Sequence, residues 1–157
     1  YYTAAYISVA MAVYYPQVAK FVGDVKKMRQ YVKSVGFVLM PTIALGLFLV
    51  FITRSWLTPL FFTEGFELSQ SLYRFQLCGD FFKLTGFLLA YLLLAQGRIG
   101  AFVLVQALSA VTYLVAIPLL IDVWNLETFP LAHLIRSLIS FAALLYLLRK
   151  DLFAKIR

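Results

Sequence analysis

Five apolar runs, each closed by a short polar or turn-rich segment, organise the chain: residues 1–15, 36–53, 76–96, 101–121 and 131–148. A run of about 20 apolar residues wound as a helix crosses the ~30 Å hydrocarbon core of a bilayer. The pattern therefore predicts an all-α, multipass transmembrane bundle of about five spans. The first run is rich in small residues (Ala4, Ala5, Ser8, Ala10, Ala12) and meets Pro16, which is expected to end or kink it. It is short for a span. Without an initiating Met, a basic leader or a cleavage site before it, the chain reads as the C-terminal piece of a longer membrane protein. Gly36, Pro41 and Gly46 lie inside the second run, and Arg54-Ser55-Trp56 closes it with an interfacial anchor. Residues 57–62 are apolar but too few to cross, and are expected to rest in the interface. A loop and helix start over 63–75, a tight turn at 97–100, a bend at Pro118 and an acidic loop over 122–130 complete the outline.

Residues 17–35 follow another rule. Val18, Phe21, Val22, Val25, Met28, Tyr31, Val32 and Val35 recur at helical spacing, with Lys20, Asp24, Lys26, Lys27, Arg29 and Lys33 between them. This predicts a basic amphipathic helix lying at the membrane surface and continuous with the next span. Its plainer role is a solvated connector that fixes topology. The alternative is a docking site for anionic lipid or a partner.

The third run breaks its own pattern. Gln76, Asp80 and Lys83 sit in its first two turns, and at about 100° per residue they share a face with Phe87. Leu77, Cys78, Phe81, Phe82, Leu84, Leu88 and Leu89 occupy the other side. An ionisable group at membrane depth costs roughly 2.5–3.5 kcal/mol on insertion scales, so such groups face a polar cavity or one another. The fourth run carries a stripe of Gln106, Ser109 and Tyr113. The fifth carries His133, Arg136, Ser137 and Ser140 on one face. The third and fifth runs start on the same side, which places Asp80, Lys83, His133 and Arg136 at similar depth. One shared, positively biased chamber is the functional expectation, with Lys83 and Arg136 contacting a substrate anion. Gln76, His133 and Gln106 are its further candidate contacts, and Asp80 is a tuning or coupling carboxylate. The bland alternatives are an Asp80–Lys83 pair at i, i+3 that locks packing, an Arg136 that snorkels to the interface, and a His133 that is merely interfacial.

Composition sharpens this picture. The chain of 157 residues is 63% hydrophobic with a net charge of +7, and its mean hydropathy is +0.89. Such a chain belongs to the membrane class, and its basic residues gather between the apolar runs rather than forming a nucleic-acid surface. Lys and Arg number five in 20–33, one at 98 and four in 149–157, against two in 54–74 and none in 122–130. That alternation predicts that the basic segment, the Arg98 turn and the C-terminus are cytoplasmic. The loops with Glu64, Glu67, Asp122 and Glu127 are then outside. The single cysteine, Cys78, excludes an intrachain disulfide and reads as a small apolar filler. The sequence carries no phosphate-cradling Gly-rich loop, no metal-spaced His/Cys/Asp/Glu cluster and no Ser/His/Asp set. Only Asp80 among the acids lies well inside a run, so transport fits better than catalysis.

Three stretches carry a resemblance. They are Tyr14-Tyr15-Pro16-Gln17-Val18-Ala19-Lys20, Tyr31-Val32-Lys33-Ser34-Val35-Gly36-Phe37-Val38-Leu39, and Phe75-Gln76-Leu77-Cys78-Gly79-Asp80-Phe81-Phe82-Lys83 with Ala90-Tyr91 and Ala95. Together they resemble the C-terminal part of the bacterial O-antigen and lipid III flippases. These are polysaccharide translocases of the multidrug/oligosaccharidyl-lipid/polysaccharide exporter superfamily. The likeness is best from Tyr14 to Gln106, and the fourth and fifth runs share only hydropathy and order. It implies a twelve-helix inner-membrane protein of two six-helix bundles, of which this chain holds most of the second. It also implies flipping of an undecaprenyl-diphosphate-linked oligosaccharide by alternating access, with cavity cations meeting the diphosphate and sugar. The implied partners are that lipid-linked sugar, membrane lipids, the N-terminal bundle and other polysaccharide-assembly proteins, with no nucleic acid. No cofactor is implied, and proton or sodium coupling is left open. The rivals are a cation-coupled drug antiporter of the same superfamily, in which carboxylates dominate, and a membrane glycan polymerase or ligase, which needs large outer loops.

Overall fold

The structure, a computed structural model, describes residues 10–61 and 69–153. The first nine residues of the first run, Glu64 and Glu67, and Lys155 and Arg157 lie outside the described residues. Within them the chain is all-α, with no strand. A π-helical turn, Ala10–Tyr14, leads into α1 (Tyr15–Lys20). Pro16 therefore starts a helix instead of ending one: in the first turn its missing N–H would have had no partner in any case. Helix α2 spans Val25–Phe61, α3 Ser69–Ala95, α4 Ile99–Trp124 and α5 Thr128–Phe153.

Asp24 opens α2. Its Oδ1 accepts from the Lys27 backbone N–H at 3.1 Å and its carbonyl accepts from the Met28 N–H at 2.9 Å, which is the role of an N-cap. From there α2 runs without a break through Gly36, Pro41 and Gly46 for 37 residues, about 55 Å. The continuity expected between the basic segment and the second span holds: from Val25 onward the segment runs in line with that span. Its buried apolar positions, Met28 and Val32, join the core, while Lys26, Lys27 and Lys33 are exposed. Residues 57–61 likewise extend the rod instead of forming a separate patch.

The α3–α4 connection is short because Gly97 adopts φ +69°. The Arg98 N–H reaches back to the Leu93 carbonyl and the Gly97 N–H to that of Leu94, each at 3.0 Å. That pair of bonds closes a helix where the chain reverses. The α4–α5 connection is tighter than the acidic loop expected there. Helix α4 runs through Pro118 to Trp124, Asn125 takes φ 47°, and a single 3-10 turn, Asn125–Glu127, delivers the chain into α5. Pro130 sits in the first turn of α5, where an N–H has no partner within the helix.

Side-chain contacts give the arrangement. Met28 of α2 meets Gln96 at the end of α3, while Phe48 and Phe51 flank the same groove as Leu77 and Arg74, so α2 and α3 run antiparallel. Phe82 packs edge-on to Phe141 and Arg98 bonds to the Leu147 carbonyl, so α3 and α5 run parallel. Helix α5 sits between α3 and α4. Leu88 to Leu93 of α3 are buried on every side by Tyr14 and Val18, Met28 and Val32, Val105, and Leu144, Leu148 and Leu152. A helix apolar all round belongs at the centre of a bundle. Three helical stretches are long and apolar enough to cross a membrane, Val25–Trp56, Leu72–Ala95 and Ile99–Leu152, the last containing both α4 and α5. This points to a membrane protein. The outer faces of α2 and α4 are correspondingly apolar, with Phe37, Leu45, Leu49, Leu104, Leu114 and Leu119 exposed.

One residue sets how closely α3 and α5 approach. A Cβ at Gly79 would stand 2.5 Å from His133 Cδ2 and 3.1 Å from the Leu134 Cα. Gly79→Ala is therefore expected to push the two helices apart and cost about 1–3 kcal/mol, measured by reversible unfolding in mixed micelles, whereas Gly46→Ala, with open space around it, is neutral or stabilising. A second prediction concerns the start of α2. The Lys27 backbone N–H bonded to Asp24 holds its carboxyl below the ordinary value of 3.8. The stabilisation is thus fully present above that value and is lost as pH falls through the lowered folded-state value. Amide exchange in the first turn of α2 is expected to accelerate only in that acidic window in the wild type, and at every pH in Asp24→Ala.

Candidate functional site

The close approach at Gly79 brings a chain of polar groups into the α3–α5 seam. Asp80 is 2% exposed and His133 5%. His133 Nε2 lies 3.1 Å from Asp80 Oδ1, and the Gln76 amide donates to Asp80 Oδ2 at 3.3 Å. On the other side of the ring, Arg136 Nε and Nη2 reach His133 Nδ1 at 3.2 and 3.0 Å. The Ser137 hydroxyl donates to the His133 carbonyl at 2.7 Å, and the Arg136 guanidinium carbon sits 4.8 Å from the Tyr113 ring centroid. A buried lone carboxylate costs several kcal/mol. Bonds to a charged group return about 1.5–3 kcal/mol each, so the donors on Asp80 are what make its burial tolerable.

Beside this seam opens a cleft of about 90 Å³ between α3, α4 and α5. Lys83, Gln106, Ser109, Arg136, Ser137 and Ser140 supply its polar wall, and among the described residues no carboxylate lines it. Phe82, Phe87, Phe141 and Leu144 supply the apolar wall. The Ser140 Oγ is buried without a hydrogen-bond partner among the described residues. Two cations from different helices, with the Ser109 and Ser140 hydroxyls and the Gln106 amide on the same wall, can receive an anion bearing several acceptor oxygens; the Ser137 proton is already given to the His133 carbonyl. The volume admits a phosphate-sized group and not an oligosaccharide; for scale, a cavity that binds benzene measures about 150 Å³.

Each residue named from the sequence has a definite place. Lys83, Arg136 and Gln106 line the cleft. Asp80 and His133 stand in the seam, tied to Arg136, and Gln76 covers the Asp80 carboxylate from the more exposed end. Asp80 meets His133, on the neighbouring helix, at hydrogen-bond distance. His133 is not an interfacial group but a buried link, and Arg136, half-buried, turns inward onto His133 and Tyr113. Cys78 is exposed on the apolar groove between α2 and α3. Sequence reasoning missed Gly79 as the residue that permits the contact. It sits in the most polar stretch of the third run, directly before Asp80, and a glycine there is the signal that was available.

The opposite end of the bundle is stitched differently. Arg29 Nε donates to the Asp151 carbonyl at 2.9 Å, and Arg98 bridges Asp151 at 3.3 Å and the Leu147 carbonyl at 3.3 Å. Two arginines from other elements thus satisfy the closing carbonyls of α5, where positive charge is favoured. The three basic segments that the sequence separates, around 26–33, 98 and 149–151, share this one end.

No known protein family, curated protein or solved structure matches the chain.

The Asp80 and Asp151 carboxylates differ in depth, and the difference is measurable. Asp80→Asn leaves an amide whose donors cannot all be met in the seam, and is expected to cost about 1–3 kcal/mol. Asp151→Asn breaks a partly exposed pair whose side chains are 38% and 27% accessible, and is expected to cost less than about 1 kcal/mol. Unfolding of both variants under one set of conditions checks the order.

Proposed function

We propose that this chain is most of the second bundle of a flippase that moves an undecaprenyl-diphosphate-linked oligosaccharide across a bacterial inner membrane by alternating access, for O-antigen or related surface polysaccharide. The observation that carries the reading is the wall shared by Lys83 and Arg136, two cations on different helices, with no carboxylate among the described residues that line it. A diphosphate diester keeps two negative charges at any physiological pH, and a guanidinium with an ammonium is the side-chain set that holds it without metal. The cleft volume suits one phosphate of the charged head. The sugars would occupy the space between this bundle and an N-terminal one of the same protein, and the polyprenyl chain would stay in lipid against the apolar outer faces. On this reading the protein is a transporter and not an enzyme. It takes no cofactor, and its partners are the lipid-linked sugar, membrane lipids and other polysaccharide-assembly proteins. The end carrying Lys26, Lys27, Arg29, Arg98 and Arg149, with the C-terminus, faces the cytoplasm. A drug antiporter is disfavoured because the deep carboxylate, Asp80, is committed to His133 and Gln76.

Lys83→Ala and Arg136→Ala in the full-length protein are each expected to reduce leaflet translocation of a lipid-linked sugar at least about tenfold, as loss of one desolvated charge contact predicts, without loss of membrane insertion. Translocation is read in proteoliposomes and growth in a flippase-null strain. Full complementation by both variants would remove the basis for this reading.

A further inference from the structure

Hydrogen-bond chemistry fixes the proton on His133. An arginine carries donors and no acceptor. Two of its nitrogens, Nε and Nη2, point at Nδ1 of the ring at 3.2 and 3.0 Å. Nδ1 must therefore offer its lone pair, and the ring proton must sit on Nε2, where Asp80 Oδ1 receives it at 3.1 Å. The neutral ring is thus wired in one direction, from Arg136 through His133 to Asp80. A second proton has one place to go, Nδ1, and there it faces the guanidinium. The contact that holds Arg136 then becomes a repulsion between two cations, while the charge arriving on the ring is met by Asp80.

The groups around the ring allow the consequence to be read. Helix α3 contributes Asp80 in the seam and Lys83 on the cleft wall. Helix α4 contributes Tyr113, beneath the guanidinium. Helix α5 contributes Arg136 itself, and the turn before it carries Glu127, nearly two turns away. Helix α2 meets α5 near its other end, through Arg29. The guanidinium already lines the cleft, so its release from Nδ1 leaves it beside Lys83 and the unpartnered Ser140 hydroxyl.

We propose that His133 is a proton-controlled positioning residue: neutral, it holds Arg136 against the seam; protonated, it hands Arg136 to the anion in the cleft, so that anion binding and proton uptake at Nδ1 are one linked event. The proposal rests on the anion-binding reading of the cleft and adds its control. Linkage makes it reciprocal, since an anion that draws Arg136 off Nδ1 also frees that nitrogen for a proton.

His133 is the one histidine of these 157 residues, and comparison of 15N-histidine spectra of the full-length protein in nanodiscs with those of His133→Gln assigns its two ring resonances. At neutral pH they are expected to report the Nε2–H tautomer, with Nδ1 protonating as pH falls. Binding of diethyl diphosphate, a diester whose two charges do not titrate in this range, is measured by calorimetry between about pH 5.5 and 8, where histidine titrates. In the wild type the affinity is expected to fall about tenfold per pH unit above the histidine transition, the limit for one linked proton. In His133→Gln the pH dependence flattens to within about twofold across the range, and in Arg136→Ala likewise, with weaker binding throughout. An Nδ1–H tautomer at neutral pH overturns the proposal even if every variant misfolds. Binding whose pH slope survives in His133→Gln overturns the role of His133 and leaves the cleft intact. No binding by the wild type at any pH overturns the anion cleft itself, and this inference with it.

Discussion

A carboxylate that is 2% exposed inside an apolar bundle can persist only if donors reach it, and two that reach Asp80 come from different helices. Gln76 reaches Asp80 from four residues earlier on the same helix, and His133 reaches it from another helix. The second contact exists because Gly79 has no side chain to hold α5 away. Charge, glycine and imidazole therefore form one constraint. The charge demands a donor, the donor demands proximity, and proximity demands the glycine. The register of α3 against α5 follows from it, as does the placing of Arg136, which is oriented by the far side of the same ring.

The cleft is a by-product of that register. With α5 drawn against α3 at Gly79 and covered by α4 on its other side, the next turns of α3 present Lys83 and Phe87 to a space that Gln106 and Ser109 reach from α4 and Ser140 from α5. Three stripes on three helices become one wall. The lower half of α3 has no such polar demand, and there the helices close over a continuous apolar core from Leu88 to Leu93. The molecule thus has a sealed half and an open half along one central helix. The sealed half is stitched by arginines satisfying helix-end carbonyls, and the open half is organised by a buried acid and its imidazole.

This division suits a protein that must keep one end fixed while a charged group occupies the other. The contacts at the basic end are bonds from Arg29 and Arg98 to carbonyl oxygens and a partly exposed carboxylate, which hold through changes in side-chain protonation near neutrality. The contacts at the polar seam depend on where one ring keeps its proton. On the flippase reading, the part of the bundle that meets the substrate head is the part whose geometry a proton can alter.

The sequence by itself determined the all-α class, the apolar runs long enough to cross a bilayer, and the polar stripe on each of the third, fourth and fifth runs. Those follow from local periodicity, which any helix must obey whatever surrounds it. It also singled out Asp80, Lys83, His133 and Arg136, because charge in an apolar run is conspicuous on cost alone. Pairing was decided only by the tertiary structure. At i, i+3 spacing Asp80 had Lys83 as its nearest candidate along the chain, yet His133, 53 residues away, is a hydrogen-bond partner. The continuation of the basic segment into the second span, by contrast, was legible in the pattern, and α2 runs unbroken from Val25 past Pro41. Periodicity tells which side of a helix is polar; which neighbour that side meets depends on the distance between helices, and here that distance was set by the absence of a single Cβ.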